Sequence, residues 1–94
     1  MLFLILSQPL PTRPSEVAGN RQRYWDWVQP LIDGGEVTSV YGRVGRGAVA
    51  TMDVASNERL HALLNEWGDI IPAEFQVHPL VDPAAAREFL ATQT

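Results

Sequence analysis

Apolar positions along the chain switch between two periods, and the switches delimit its elements. Leu2 to Leu6 is apolar at every position, which suits a central strand covered on both faces. The connector that follows, Gln8 to Pro14, carries Pro9, Pro11 and Pro14; prolines forbid helix and favour extended backbone. From Glu16 to Asp33 the residues Val17, Tyr24, Val28 and Leu31 recur at helical spacing, with Trp27 and Ile32 widening the stripe. This is a first helix, with Ser15 placed as its N-cap. Pro30 removes one backbone hydrogen bond near its end, and Gly34-Gly35 supplies left-handed residues that stop it. Val37 to Val44 and Ala48 to Val54 read as two strands joined through Gly45-Arg46-Gly47, a β-hairpin.

Ser56 then caps a second helix, in which Leu60, Leu63, Leu64 and Trp67 stand at i, i+3, i+4 and i+7 and Gly68 marks the stop. Phe75 to Leu80 sets Phe75 and Val77 against Gln76 and His78, the alternation of a strand with one buried face. Asp82-Pro83 places a cap and an N1 proline ahead of a short tail helix over 83–90, which ends in Phe89 and Leu90. So brief a helix needs a surface to dock on.

The resulting order, βαββαβ, predicts an α+β, ferredoxin-like fold: an antiparallel sheet with two helices on one face, as right-handed crossovers require. A chain of 94 residues is sized for one such domain spanning 1–94. The opposite sheet face has no cover, and Leu2, Leu4 and Leu6 or their neighbours are expected there. Contiguous apolar patches on monomers mark contact sites, so a homodimer packed sheet to sheet, or a larger oligomer of such dimers, is expected.

Composition narrows the chemistry. There is no cysteine, which excludes a disulfide framework and a thiolate nucleophile. All seven basic residues are arginines, so Schiff-base chemistry, which requires an amine, is excluded too. A net charge of −4 argues against nucleic acid as a partner, since phosphate binding needs a basic footprint. The opening apolar run reaches Pro9 too soon for a membrane span, and the cytoplasm is the default location. His61 and His78 lack the HxH or HExxH spacing of a metal site.

From the third strand onward, Asp53-Val54-Ala55-Ser56-Asn57-Glu58-Arg59-Leu60-His61-Ala62-Leu63-Leu64 and then Val77-His78-Pro79-Leu80 resemble the muconolactone delta-isomerase family. Met1-Leu2-Phe3 and the stretch from Gln29 to Gly35 are similar as well. The resemblance implies a dimeric α+β barrel and, in the characterised members, a cofactor-free proton shift within a carboxylated lactone. The chain departs from the family pattern in three places: Arg46 follows Gly45 where an acidic residue is usual, Tyr41 and Arg43 stand for a tryptophan-arginine pair, and Trp67 to Pro72 replaces a proline-rich segment.

Candidate site residues follow from these two lines of reasoning. Arg21 lies at the edge of the apolar arc of the first helix, where its guanidinium forms either a fork for a carboxylate or an ordinary salt bridge. Tyr41 and Arg43, two apart on a strand, share a face and bind a carbonyl and an anion, or else decorate a sheet edge. Arg46, in the hairpin tip, is expected to be solvated. His61, about 100° round from Leu60, is the leading proton carrier, with His78 behind it; each is alternatively a structural hydrogen-bonding group. Tyr24, Trp25 and Trp67 are core or ligand-facing aromatics, with Trp25 lying toward the edge of the stripe, while Glu66, Asp69 and Glu74 are solvent carboxylates by default.

The functional expectation is a cofactor-free enzyme shifting a proton in a small cyclic anionic metabolite, such as a lactone. A cofactor-free monooxygenase acting on a polycyclic phenol is the sister reading. The opposing one is a non-catalytic binding or assembly module, its cleft filled by Trp25, Tyr24 and Met52.

Overall fold

A computed structural model describes residues 1–93. Four strands, β1 (Leu2–Pro9), β2 (Val37–Gly42), β3 (Ala48–Asp53) and β4 (Ala73–Leu80), form one antiparallel sheet in the order β2-β3-β1-β4. Between them run the helices α1 (Ala18–Asp33) and α2 (Asn57–Ile70), and α3 (Pro83–Ala91) follows the last strand. The α+β, ferredoxin-like arrangement expected from the order of elements is thus observed.

Strand β1 sits at the centre of the sheet, which explains its unbroken apolar run. Phe3, Ile5 and Ser7 point into the core, while Leu2, Leu4 and Leu6 are half-buried on the opposite face. The core face of the sheet continues with Ala48, Ala50, Met52 and Val37, against which α1 lays Tyr24 and Val28, and α2 lays Leu60, Leu63, Trp67 and Ile70. Register carries the other parity across the open face, where Leu4 pairs with Thr51 and His78, and Tyr41 pairs with Val49.

Several local expectations need correction. Ser15 does not cap α1: residues Pro14–Val17 form a single 3₁₀ turn, and neither it nor α1 has a side-chain cap. Pro14 stands at the first position of that turn, where its missing N–H costs nothing. Gly34 stays in the right-handed region and only Gly35 is left-handed (φ 86°), their N–H groups donating to Pro30 O and Ile32 O. Gly68 does not end α2. The helix runs on to bury Ile70 and stops where Ile71 becomes extended ahead of Pro72, as the residue before a proline must.

The hairpin is also longer than its glycines suggested. Strand β2 ends at Gly42, and Arg43 N–H donates to Gly47 O across the connection. Gly47 has φ 95°, and a Cβ there would run into the backbone oxygen of Ser7, so this hairpin lies directly against the end of β1. Elsewhere the caps are as expected: Ser56 accepts from Arg59 N–H at 3.1 Å and Asp82 from Ala85 N–H at 2.8 Å. Helix α3 buries none of its residues and packs on no other element among those described.

Candidate functional site

One cleft of about 220 Å³ opens between the N-terminal half of α1, the β2–β3 hairpin and the end of β1. Its size exceeds the roughly 150 Å³ of an apolar cavity that accommodates benzene. Three aromatic side chains shape it. Trp67 lies at 2% exposure, Tyr24 at 4%, and Trp25 stands half out of the protein, edge-on to Tyr24 with ring centres 5.4 Å apart. Tyr24 and Trp67 are themselves 5.0 Å apart, and Phe75 backs Trp67 at 5.1 Å. Such pairs contribute about 0.5–1.5 kcal/mol each beyond simple burial, so the aromatic wall is rigid before any ligand arrives.

Three of the seven arginines, Arg21, Arg43 and Arg46, line this cleft, and no carboxylate among the described residues does. An acidic chain therefore carries a locally cationic hollow. Arg43 Nη1 donates to Ser7 O at 2.9 Å and also reaches Gln8 Oε1 at 3.4 Å. Arg46 Nη1 donates to Thr12 O at 2.8 Å, and its Nη2 to Thr12 Oγ1 at 3.1 Å. These bonds pin the hairpin to the proline-bearing connector and hold both guanidiniums in place. Arg21, by contrast, is exposed and has no ion-pair or hydrogen-bond partner among the described residues.

Two donors on residues that line the cleft are left over. Tyr24 Oη and Arg46 Nε are both shielded from solvent, and neither has a hydrogen-bond partner among the described residues. A buried polar atom without a partner costs about 1–3 kcal/mol, which is a large sacrifice for a small domain. Burial also drives the Tyr24 hydroxyl well above its usual pKa, because desolvation penalises the phenolate. It therefore remains protonated throughout the physiological range and serves as a donor.

The structure sorts the sequence candidates into two groups. Arg21, Tyr24, Trp25, Arg43 and Trp67 come together at the cleft. Tyr41, His61 and His78 do not line it. Tyr41 lies 71% exposed on the open sheet face, His78 lies on that same face beside Leu4, and His61 is exposed on α2. Tyr41 and Arg43 do not share a face, because β2 ends at Gly42 and Arg43 turns inward to Ser7. Met52 does not fill the cleft but is fully buried in the core.

Arg46 was expected in solvent, and the structure buries its Nε instead. The available signal was its position between two glycines, Gly45 and Gly47, both at φ 95°, which let the hairpin fold back over the sheet end. Ser7, the buried polar residue of β1, was likewise not foreseen. Its Oγ accepts from Ala48 N–H at 2.8 Å and donates to Ala48 O at 3.4 Å, completing the pairing where the β1–β3 ladder stops.

Among the described residues no group of acidic, histidine or cysteine side chains is arranged to hold a metal ion, and no helix is long and apolar enough to cross a membrane.

Solved structures share this architecture. A 5-chloro-2-hydroxyhydroquinone dehydrochlorinase from Burkholderia phenoliruptrix AC1100, in complex with 2,5-dihydroxybenzoquinone, superposes with a TM-score of 0.70 at 16% identity, over 90% of this chain and 98% of its own. A muconolactone isomerase superposes with a TM-score of 0.70 at 22% identity, over 88% of this chain and 92% of its own. The fold resemblance read from the sequence is therefore borne out. No curated protein matches the chain by sequence. The sequence model of one family matches residues 1–94, and the chain accordingly belongs to the family described as Domain of unknown function (DUF3303).

Proposed function

We propose that the protein is a small-molecule enzyme that binds a cyclic, anionic metabolite in the cleft and moves a proton within it without a cofactor. The observation that carries this reading is the pairing of three arginines with an aromatic wall in a hollow that no carboxylate among the described residues enters. Guanidinium groups recognise carboxylates through charge-assisted hydrogen bonds. Both structural neighbours are enzymes named for small cyclic compounds, muconolactone and a chlorinated hydroxyhydroquinone, which makes metabolism of aromatic compounds the natural setting.

A proton removed next to a carbonyl passes to water in the open cleft, since no carboxylate or imidazole among the described residues lines it, and its loss leaves negative charge on oxygen. Fixed donors aimed at that oxygen lower the barrier, as they need not reorganise during the reaction. Tyr24 supplies such a donor, while Arg21 and Arg43 orient the substrate. Tyr41 and His78 lie on the open face with Leu2, Leu4 and Leu6, and there they meet a second copy of the chain in a homodimer, the form in which the enzyme works. Exposed Phe89 and Leu90 on α3 dock on that copy.

Deuterium incorporation into muconolactone in D₂O, followed by NMR, tests the reaction. Arg21→Ala should slow exchange more than about tenfold, the value of a lost hydrogen bond to a charged group, while His61→Ala retains it. Equal exchange with and without Arg21 removes the assignment. A second reading, a non-catalytic binding module, is favoured by one observation: no imidazole lines the cleft to accept the proton. Tight binding of muconolactone or 2,5-dihydroxybenzoquinone without any exchange selects it.

A further inference from the structure

The two unpartnered donors point to a particular ligand chemistry. Tyr24 Oη and Arg46 Nε are buried, lack partners among the described residues, and belong to residues that line the same cleft. Native structures pair nearly all such atoms, so an orphan calls for an explanation. Both orphans are donors, which specifies an acceptor. Three of the five guanidinium N–H groups of Arg46 are taken, two on Nη1 by Leu10 O and Thr12 O and one on Nη2 by Thr12 Oγ1, which holds the group in place with its Nε–H still to be paired. The Nε–H of Arg46 and the O–H of Tyr24 are the two shielded donors still to be paired on residues that line the cleft.

We propose that Tyr24 Oη and Arg46 Nε form a two-donor seat for one anionic oxygen carried on a flat ring, as in an aromatic carboxylate, a phenolate or a cyclic enolate. The ring lies against Trp25, whose half-exposed face at the cleft is otherwise unexplained. Arg21, without a partner and nearer solvent, adds attractive charge at the mouth. A neutral ring of the same shape gains the stacking but not the charge, so the seat discriminates by ionisation. This rests on the cleft being the ligand site and is independent of whether a proton is moved there.

Isothermal titration of the full chain with benzoate and with benzyl alcohol at neutral pH tests the seat, using wild type and Tyr24→Phe. Wild type should bind benzoate at least tenfold more tightly than benzyl alcohol, the least that a charge-assisted hydrogen bond supplies. Tyr24→Phe should weaken benzoate by about 10- to 100-fold and leave benzyl alcohol little changed. Its thermal midpoint should equal or exceed that of wild type, because the hydroxyl removed has no partner in the protein. Equal benzoate affinity in the two proteins means the hydroxyl is served by water and overturns the proposal. So does failure of wild type to bind benzoate, equal affinity for the neutral probe, or a lower melting point or loss of folding in Tyr24→Phe, which reveals an internal partner. Deuterium exchange is scored separately: exchange with an intact Tyr24→Phe affinity removes the seat alone, and a weakened affinity without exchange removes the reaction alone.

Discussion

Replacing Ser7 by alanine isolates the contact that seals the end of β1. Ser7 is 2% exposed, and its Oγ accepts the Ala48 N–H at 2.8 Å while donating to Ala48 O at 3.4 Å. The first bond is short and well within the usual range, and the second is long and weak. Alanine removes both, leaving a buried N–H with no acceptor where the β1–β3 ladder has ended at Leu6 and Val49. Stranding that donor costs about 1–3 kcal/mol, and losing the weak second bond adds little. For a domain of this length 1 kcal/mol shifts the thermal midpoint by roughly 4–8 °C. A loss of about 2 kcal/mol, or roughly 8–16 °C, is therefore expected for Ser7→Ala. Circular-dichroism melts and urea titrations at one fixed protein concentration measure it, because any dimerisation makes the midpoint concentration-dependent. The same substitution loosens the segment whose carbonyl holds Arg43, so benzoate affinity should fall alongside stability. A Ser7→Ala chain within 0.5 kcal/mol of wild type would refute the claim that this hydroxyl stands in for a ladder bond.

The Glu36–Arg59 pair gives a pH dependence of known sign. Two 2.8 Å hydrogen bonds from Arg59, reinforced by its charge, hold the Glu36 carboxyl below its usual pKa. A carboxylate with a lowered folded-state pKa contributes stability that is complete above the unfolded value and disappears as pH falls through the folded one. Glu36→Gln should thus lose at most about 1 kcal/mol at pH 7, since both side chains are partly exposed, and nothing in acid; equal differences in urea midpoint at pH 7 and pH 3 contradict this. Leu4→Arg places a charge at the centre of the open face, opposite Thr51 and His78. Wild type should sediment as a dimer at micromolar concentration and the variant as a folded monomer; a monomeric wild type removes the sheet-to-sheet interface.

Sequence alone determined the elements and their order, because periodicity is a local property. Leu60, Leu63 and Trp67 all proved buried on one face of α2, and Leu2 to Leu6 proved to be the central strand. Of the five candidates that meet at the cleft, Arg21, Tyr24, Trp25 and Trp67 stand on α1 and α2, where the helical stripe already pointed to them, while Arg43 arrives through the hairpin beyond the end of β2. What remained hidden depends on contacts between distant segments. Ser7 looks like the end of an apolar run until Ala48 is brought beside it, and Arg46 looks like a solvated tip until Gly47 folds the hairpin onto β1 and Thr12 captures the guanidinium. The unpartnered Tyr24 hydroxyl is invisible to any pattern, since an apolar stripe records that a ring is buried and not what surrounds its oxygen. Burial follows from which residues are apolar. The unsatisfied donors that define the candidate site follow only from how the chain closes around them.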